Sequence, residues 1–362
     1  MKPKAALRWL SIWACLLLVG LGCACTSRSD QRSPGFARQA NPDQLEILPV
    51  TPSATRQLST HTAVPSQPPT ATVTPYATQT PLPTATSTHT PLPSPAVLIG
   101  AGDISVCGMH DDVRTAALLG ELIEEYPEAE IFTAGDNVQI NGDAFEYIEC
   151  FGPTWGRYKK RIHPSPGNHD YHAAQGRAYY DYFGEAAGPD GLGFYSYELG
   201  DWHIVSLNSN CTGEDCGENS WQVQWLRLDL ANNPRKCTLM YWHHPVWDSG
   251  TVPVEEAGRP FWQIAVDYGV DVVVNGHDHH YERFAPMDYA GNIDIEHGTR
   301  EFIVGTGGAW LFELGQPLPA TEVRSNETFG VMRFLLYPDH YSWTFFPVKG
   351  GEFYDAGVDV CR

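Results

Sequence analysis

The chain has 362 residues, of which 42% are hydrophobic and 12% aromatic, so it can build a substantial core and wholesale disorder is excluded. The formal net charge is −20, yet residues 1–96 carry seven basic and three acidic side chains, which leaves 16 basic against 40 acidic side chains in the remainder. So acidic a domain is a poor partner for long nucleic acid or anionic lipid, because neutralising phosphate needs Lys and Arg.

Residues 1–25 have the layout of a secretory signal, with a basic start, an apolar run over residues 9–22 and small residues after it. The run is short for a transmembrane anchor, which needs roughly 20 apolar residues. Cys23 and Cys25 stand where a bacterial lipoprotein is cut and acylated, although the residues before them fit that motif loosely. We therefore expect export, to the periplasm, the cell surface or the medium, and a membrane contact only through an N-terminal lipid anchor.

Residues 26–95 are rich in Thr, Pro and Ser and almost lack aliphatic side chains over their second half. Such a composition cannot bury a core and is typical of an extended linker or stalk. The sequence therefore divides into a signal, a stalk and one catalytic domain over residues 96–362.

Within that domain, apolar strands alternate with amphipathic helices. Strands are predicted at 97–99, 131–134, from 162, and at 203–207, 238–242, 270–274, 302–304, 331–336 and 342–346. Helices are predicted at 114–126, 221–232 and 261–268, and Ser220 is expected to cap the second of them. The later strands have few helices between them, which favours an α/β fold in which a second sheet packs on the first.

The domain contains six cysteines and no Cys-x-x-Cys, so an exported domain of this kind is expected to hold disulfides rather than a thiolate zinc site. Cys211 and Cys216 enclose four residues, and we predict a local disulfide between them. Chain order and closeness to the site motifs are the only grounds for the other two pairs, Cys107 with Cys150 and Cys237 with Cys361.

Five of the predicted strands end in polar loops, and sites in α/β sheets gather at the carboxyl ends of strands. We expect one crevice to collect the polar residues of these loops, which are Asp103, Asp136, Asn168, His169, His243, His277 and His279. Carboxylate, amide and imidazole ligands without thiolate suit Fe, Zn or Mn. Two ions about 3.5–4 Å apart can clamp a phosphate ester and generate hydroxide at neutral pH, and they supply the positive field that this acidic domain lacks.

Five short motifs occur in the chain in this order: Gly102-Asp103, Gly135-Asp136-Asn137, Gly167-Asn168-His169-Asp170, His243-His244-Pro245 and Gly276-His277-Asp278-His279, the last followed by Tyr281-Glu282-Arg283. Together they resemble the calcineurin-like metallophosphoesterases, nearest the purple acid phosphatase branch, over about residues 97–361. The resemblance implies a four-layer α/β/β/α sandwich of two packed mixed sheets flanked by helices. It also implies a metal-dependent phosphatase with two metal ions.

Residue by residue, the resemblance assigns Asp103 and His279 to the first metal and makes Asp136 a bridge between both ions. It assigns three residues to the second metal, namely Asn168, His243 and His277. His169 corresponds to the family's outer histidine, which steadies the phosphate and protonates the leaving oxygen.

Each of these residues also has an ordinary structural interpretation. Asp103 and Asp136 could cap helices, and Asn168 could be a turn residue. His244 competes with His243 for one ligand position, and the family's His-x-Pro pattern favours His243. His280 is expected to be a packed histidine rather than a ligand.

The chain departs from its apparent relatives at two positions. Ser105 stands where many relatives have a histidine, and Gln139 stands where the purple branch has a metal-bound tyrosine. An amide is a weaker, uncharged donor, so we expect a divalent first metal, a colourless protein and a pH optimum near neutral or alkaline. The alternative is that Tyr281, or another nearby tyrosine, replaces the missing phenolate.

The favoured function is an exported phosphohydrolase that cleaves a small phosphomonoester. A phosphodiesterase on the same site and a decayed, surface-tethered binding module remain as alternatives, whereas the acidic charge opposes a nuclease. The sequence leaves the substrate, the metal pair and the oligomeric state open.

Overall fold

Two β-sheets form the centre of the structure, a computed structural model that describes residues 94–211, 216–254 and 256–362. The predicted signal and all but the last two residues of the predicted stalk lie outside the described residues. Within the described part of the chain, no helix has the length and apolar character needed to cross a bilayer.

The strands are, in chain order, β1 (Ala96–Ala101), β2 (Glu130–Ala134), β3 (Ile162–Ser165), β4 (Tyr195–Leu199), β5 (Trp202–Ser206), β6 (Cys237–Tyr241), β7 (Val272–Asn275), β8 (Tyr281–Phe284), β9 (Arg300–Val304), β10 (Thr321–Ser325), β11 (Gly330–Leu336), β12 (His340–Pro347) and β13 (Asp355–Val360). The α-helices are α1 (Asp111–Glu125), α2 (Arg177–Phe183), α3 (Trp221–Asn232) and α4 (Arg259–Asp267). A π-helical turn covers Glu146–Phe151, and short 3₁₀ segments cover Trp155–Arg161, Ala174–Gly176, Gly184–Ala187, Pro189–Gly191 and Glu256–Gly258.

Both sheets are mixed, as the predicted fold class requires. The first has the order β13-β12-β11-β1-β2-β3, in which β1, β2 and β3 are parallel and β11 runs antiparallel to β1. The second has the order β10-β8-β9-β7-β6-β5-β4, in which β5, β6, β7 and β9 are parallel. Because these parallel strands point the same way within each sheet, the loops at their carboxyl ends share one edge.

The two sheets pack face to face through aromatic side chains. The ring of Phe132 on β2 lies 5.6 Å from that of Tyr241 on β6, and the ring of Phe302 on β9 lies 5.5 Å from that of Phe334 on β11. Helix α1 adds its buried face to this core, while α3 and α4 build a second core on the outer face of the second sheet. The layers are therefore helix, sheet, sheet and helix, which confirms the predicted sandwich.

The sequence correctly predicted helices α1, α3 and α4, but it missed helix α2 and several strands. The Ser220 hydroxyl accepts a hydrogen bond from the amide of Val223 at 3.2 Å, which is the predicted cap of α3. Strands β4, β8, β10 and β13 and helix α2 were not predicted. Strands β4, β10 and β13 lie at sheet edges and alternate or expose their side chains, so they lack the continuous apolar runs of the central strands.

The predicted pairing of all six domain cysteines is confirmed. Disulfides join Cys107 to Cys150 and Cys211 to Cys216, and a third joins Cys237 at the start of β6 to Cys361 beside the end of the chain. The three bonds close segments of very different length, with sequence separations of 43, 5 and 124 residues.

We expect the disulfides to differ in their contribution to stability because a longer closed loop loses more unfolded-state entropy. Replacing Cys237 and Cys361 by serine should lower the free energy of unfolding by about 5 kcal/mol, against about 2 kcal/mol for Cys211 and Cys216. Urea unfolding of the two double variants measures the difference. Equal losses would show that strain or residual unfolded-state structure outweighs loop entropy.

Candidate metal centre

Seven polar residues predicted for the site lie on loops at the carboxyl ends of the parallel strands. Asp103 follows β1, Asp136 follows β2, and Asn168 and His169 follow β3. The loops after β6 and β7 carry the three remaining histidines, which are His243, His277 and His279. One edge of each sheet thus contributes to a single crevice, as the strand-end rule predicts.

The backbone is strained at three of these residues. Asp103, Asp136 and His277 have φ angles of 58°, 46° and 73°, which lie in the left-handed region that side chains other than glycine rarely adopt. Each such residue costs on the order of 1–3 kcal/mol and persists only where surrounding contacts fix it. This conformation turns the three side chains inward, where sheet geometry alone would not direct them.

Glycines allow the loops to approach each other closely. A Cβ on Gly135 would lie 2.4 Å from Nδ1 of His243, and one on Gly276 would lie 2.6 Å from Oδ2 of Asp103. Any larger residue at these positions would therefore push a proposed ligand out of the crevice.

Backbone carbonyls fix the orientation of two imidazoles. Nδ1 of His243 lies 2.9 Å from the carbonyl oxygen of Ala134, and Nδ1 of His279 lies 2.6 Å from that of Trp310. A carbonyl oxygen only accepts hydrogen bonds, so both Nδ1 atoms carry a proton, and Nε2 of each ring faces the crevice, where it can bind either a second proton or a cation. This is the usual orientation of histidine ligands.

Several electron-pair donors converge on Nε2 of His243. Oδ1 of Asn168 lies 3.0 Å away, Nδ1 of His277 lies 3.2 Å away and Oδ2 of Asp136 lies 3.3 Å away. A single proton on Nε2 can bond to only one of these atoms. A bound cation satisfies all of them, and ligands about 2.0–2.2 Å from one ion stand at separations of this size.

A second pair of donors faces each other at Asp103. Its Oδ1 lies 3.2 Å from Nε2 of His279 but is a buried atom with no hydrogen bond, while its Oδ2 accepts the amide hydrogen of His277 at 2.8 Å. One ligand atom each of Asp103, Asp136 and His243 lie within 4.8 Å of one another. The two donor groups are therefore adjacent and share Asp136.

Burial and mutual charge shift the pKa values of these groups strongly. Burial lowers the pKa of His243, but the Asp136 carboxylate outweighs it and raises that pKa to about 9. Burial and the neighbouring His243 lower the pKa of His277 to about 4. The crevice thus retains positive charge on His243 beside Asp136, and a bound cation would compete for that position with a proton.

Gln139 is buried against the same carboxylate. Its Nε2 donates a hydrogen bond to Oδ2 of Asp136 at 3.2 Å, which leaves its Oε1 buried and without a hydrogen bond. Ser105, at the other departure from the family pattern, donates from its hydroxyl to Asp112 at 2.8 Å. Tyr281 donates to Asp355 at 2.7 Å in the core, which argues against the alternative that it replaces the missing phenolate.

The remaining histidines of the motifs, His244 and His280, are buried close to possible ligand atoms, and their supporting role stays a prediction. His244 is buried, and its Nδ1 lies 2.8 Å from the hydroxyl of Ser209. His280 is buried between carboxylates, with Nε2 3.2 Å from Glu282 and Nδ1 3.6 Å from Asp278.

Asp170 supports the site, although the sequence suggested no role for it. Its carboxylate accepts the amide hydrogens of Gly167 at 2.8 Å, Asn137 at 3.2 Å and Val138 at 3.3 Å, and the hydroxyl hydrogen of Tyr147 at 2.5 Å. These bonds join the loops after β2 and β3. In the sequence, Asp170 is recognisable only as a carboxylate two residues after Asn168. Most of the residues that donate hydrogen bonds to it lie far away in the chain.

A family model described as calcineurin-like phosphoesterase matches residues 96–281, which contain all five motifs. Purple acid phosphatase 15 of Arabidopsis thaliana is 28% identical over 234 residues, which cover 54% of this chain and 42% of that protein. Purple acid phosphatase 22 of the same plant is 32% identical over 167 residues, covering 41% of this chain and 36% of that protein. The matches span less than half the length of these plant relatives.

Solved structures share the fold. A purple acid phosphatase from yellow lupin seeds superposes with a TM-score of 0.57 at 17% identity, covering 73% of this chain and 53% of that one. A dimetal phosphatase from Danio rerio gives a TM-score of 0.54 at 12% identity, covering 75% of this chain and 100% of that one.

The close approach of Gly135 to His243 can be tested with a matched pair of glycines. Gly135 and Gly108 have φ angles of 81° and 89°, but only a Cβ on Gly135 would meet another residue within 4 Å. Both alanine variants should lose about 1–2 kcal/mol of stability from the backbone conformation. Only Gly135→Ala should also lose bound metal, measured by elemental analysis, and wild-type metal content in that variant would contradict the geometry.

Proposed function

The chain belongs to the calcineurin-like phosphoesterase family, and from this premise we propose that it is an exported phosphohydrolase that uses two metal ions to cleave phosphomonoesters. The observation that supports the proposal is the convergence of nitrogen and oxygen ligand atoms in one crevice. Around Nε2 of His243 and around Oδ1 of Asp103, these atoms stand 3.0–3.3 Å apart, and around His243 one proton cannot join all of them.

We assign the first ion to Asp103 and His279 and the second to Asn168, His243 and His277, with Asp136 shared between the two. When bound, the two ions supply Lewis acidity and an activated water for attack on phosphorus. The protein itself orients these six side chains toward the crevice before a metal ion binds. The ligand set lacks thiolate, which fits divalent Fe, Zn or Mn.

His169 is proposed to hold the phosphate. Its Nδ1 lies 3.3 Å from the backbone amide of Ile140, and an amide only donates, so Nδ1 carries no proton and the neutral ring has its proton on Nε2. That nitrogen lies 3.9 Å from Oδ2 of Asp136, on the side of the proposed ligands. Nε2 is therefore placed to donate a hydrogen bond to a phosphate oxygen. Full proton transfer to the leaving oxygen requires the doubly protonated ring, which must give up the Ile140 bond.

The surroundings of the site favour small esters. Residues after position 96 carry 40 acidic and 16 basic side chains, which disfavours long polyanionic substrates such as nucleic acid. Similarity to plant proteins named purple acid phosphatases supports monoester over diester hydrolysis.

The three disulfides support export, because such bonds persist in oxidising compartments.

The catalytic proposal is tested by replacing the shared carboxylate. Asp136→Asn should abolish hydrolysis of an aryl phosphate, with a loss greater than the roughly 10–100-fold that removing an outer partner of a metal ligand costs. Ser105→Ala is the control, because its hydroxyl bonds to Asp112 rather than to the proposed ligands. Chelation should abolish the wild-type activity. Equal rates for wild type and Asp136→Asn would reject catalysis at this site, and a diester cleaved in preference would identify a phosphodiesterase.

The amide side chain of Gln139 leads us to expect a protein without the purple colour. The purple branch owes its colour to charge transfer from a tyrosinate to iron(III), and a neutral amide occupies that position here. Iron-loaded protein should therefore show no intense visible band, and Tyr281→Phe should leave the spectrum unchanged because that hydroxyl is bonded to Asp355. An intense band that disappears in Tyr281→Phe would show that the tyrosine reaches the metal.

A further inference from the structure

His172 lies beside His169 at the rim of the crevice, outside every motif of the sequence. The two ring centroids are 4.5 Å apart with an interplanar angle of 61°. His172 is exposed, whereas the His169 side chain is only 26% exposed, so His172 lies nearer the mouth of the crevice. Among the described residues its Nε2 has no hydrogen-bond partner, so this nitrogen is open to solvent or to a ligand.

The peptide groups of a single residue hold both rings. The amide of Ile140 donates to Nδ1 of His169 at 3.3 Å, and the carbonyl oxygen of Ile140 lies 2.8 Å from Nδ1 of His172. A carbonyl oxygen only accepts, so Nδ1 of His172 carries a proton. The two neutral rings are therefore opposite tautomers, and His172 presents a lone pair on Nε2 where His169 presents a proton.

This arrangement is built on strained backbone. Ile140 has a φ angle of 91°, which is a genuine outlier for a β-branched residue. Ala174 and Gln175, just after His172, have φ angles of 48° and 56°. Within the described ranges, the only other non-glycine residues with positive φ are three proposed metal ligands. Such strain clusters at functional sites, where neighbouring contacts maintain it.

The Ile140 segment is fixed on both sides. The amide of Gln139 donates to the carbonyl oxygen of Ser105 at 2.8 Å, and the amide of Gly142 donates to the Glu146 carboxylate at 2.8 Å. The Ile140 side chain itself is 50% exposed, so packing of this side chain does not explain the conformation. The contacts that the strained Ile140 residue makes through its backbone are those with the two histidines.

We infer that His172 is a specificity-determining residue that accepts a hydrogen bond at Nε2 from the leaving group, so that the site favours phosphomonoesters of neutral, polyhydroxylated alcohols. The inference rests on the proposed function. A leaving group extends from the phosphate at His169 toward solvent and therefore passes His172. A hydroxyl on that group can donate to the Nε2 lone pair, and the acidic domain disfavours leaving groups that carry further phosphates.

Paired substrates test this contact. Wild-type protein should cleave glycerol 1-phosphate with a kcat/KM about two- to tenfold above that for propyl phosphate, which has the same carbon chain without hydroxyls. In His172→Asn the side-chain amide can still donate to Ile140 but has no atom at the Nε2 position, so the ratio should fall to about one. His297→Asn is the control, because His297 is an exposed histidine paired with Asp294, and it should keep the wild-type ratio.

Nitrogen-15 NMR of histidine-labelled, zinc-loaded protein gives a readout that does not depend on turnover. In the neutral forms of the two rings we expect the proton on Nε2 in His169 and on Nδ1 in His172. Adding 2,3-dihydroxypropylphosphonate should shift the Nε2 signal of His172, and propylphosphonate should not.

Three results would overturn the inference. The first is an unchanged substrate ratio in His172→Asn with unchanged rates, the second is the same ratio with an equal loss on both substrates and metal retained, which would mean that His172 only supports His169, and the third is a phosphonate titration that leaves the His172 signal in place. If wild-type protein cleaves neither ester, the proposed function fails, and the phosphonate titration alone decides the role of His172.

Discussion

The buried carboxylate of Asp136 is the group on which the crevice depends. Its Oδ1 accepts the amide hydrogen of His169 at 2.8 Å, and its Oδ2 lies 3.2 Å from Nε2 of Gln139 and 3.3 Å from Nε2 of His243. Removing an ionised carboxylate from water costs several kcal/mol unless neighbouring groups compensate, so the loops after β2, β3 and β6 must close on it together. Gly167 shows how tightly they close, because a Cβ there would lie 2.1 Å from Oδ1. Folding of these loops and formation of the crevice are therefore one event.

Further carboxylates behind the crevice hold the loops in place. Asp170 accepts hydrogen bonds from the Tyr147 hydroxyl and from backbone amides, and burial followed by the charge of Asp136 raises its pKa to about 6. His280 plays the corresponding part behind the loop after β7, where burial lowers its pKa but Asp278 and Glu282 outweigh it and raise it to about 9. Asp170 is held by hydrogen bonds and His280 by ion pairs with carboxylates, although Nδ1 of His280 and Oδ1 of Asp278 are buried without a hydrogen bond. These contacts position the loops that carry the proposed ligands. Pre-organisation of this kind reduces the conformational entropy that the site would lose on binding a metal ion.

The sequence predicted the central strands and their polar loops because both depend on local pattern. An apolar run followed by Gly-Asp or Gly-Asn-His identifies a strand and its loop without knowledge of the rest of the fold. It did not predict β4, β10 or β13, whose side chains are partly exposed at sheet edges. Nor did it indicate His172 or the left-handed backbone of Ile140, since their partners lie 32 residues apart in the chain. Contacts between loops that are distant in the sequence could be identified only from the tertiary structure.

Gln139 illustrates how one position can change the chemistry of a centre while the fold stays the same. A carboxylate only accepts hydrogen bonds, so the amide must direct its nitrogen toward Asp136, and its Oε1 is then left buried and unpaired beside the proposed ligands. That oxygen is a neutral donor in the place where the purple branch has an anionic phenolate. On the proposed assignment the ligand set has one negative charge fewer, so we expect it to stabilise a trivalent ion less well and to favour divalent pairs. A divalent ion acidifies bound water less than a trivalent one, so the working pH should move from acid toward neutral.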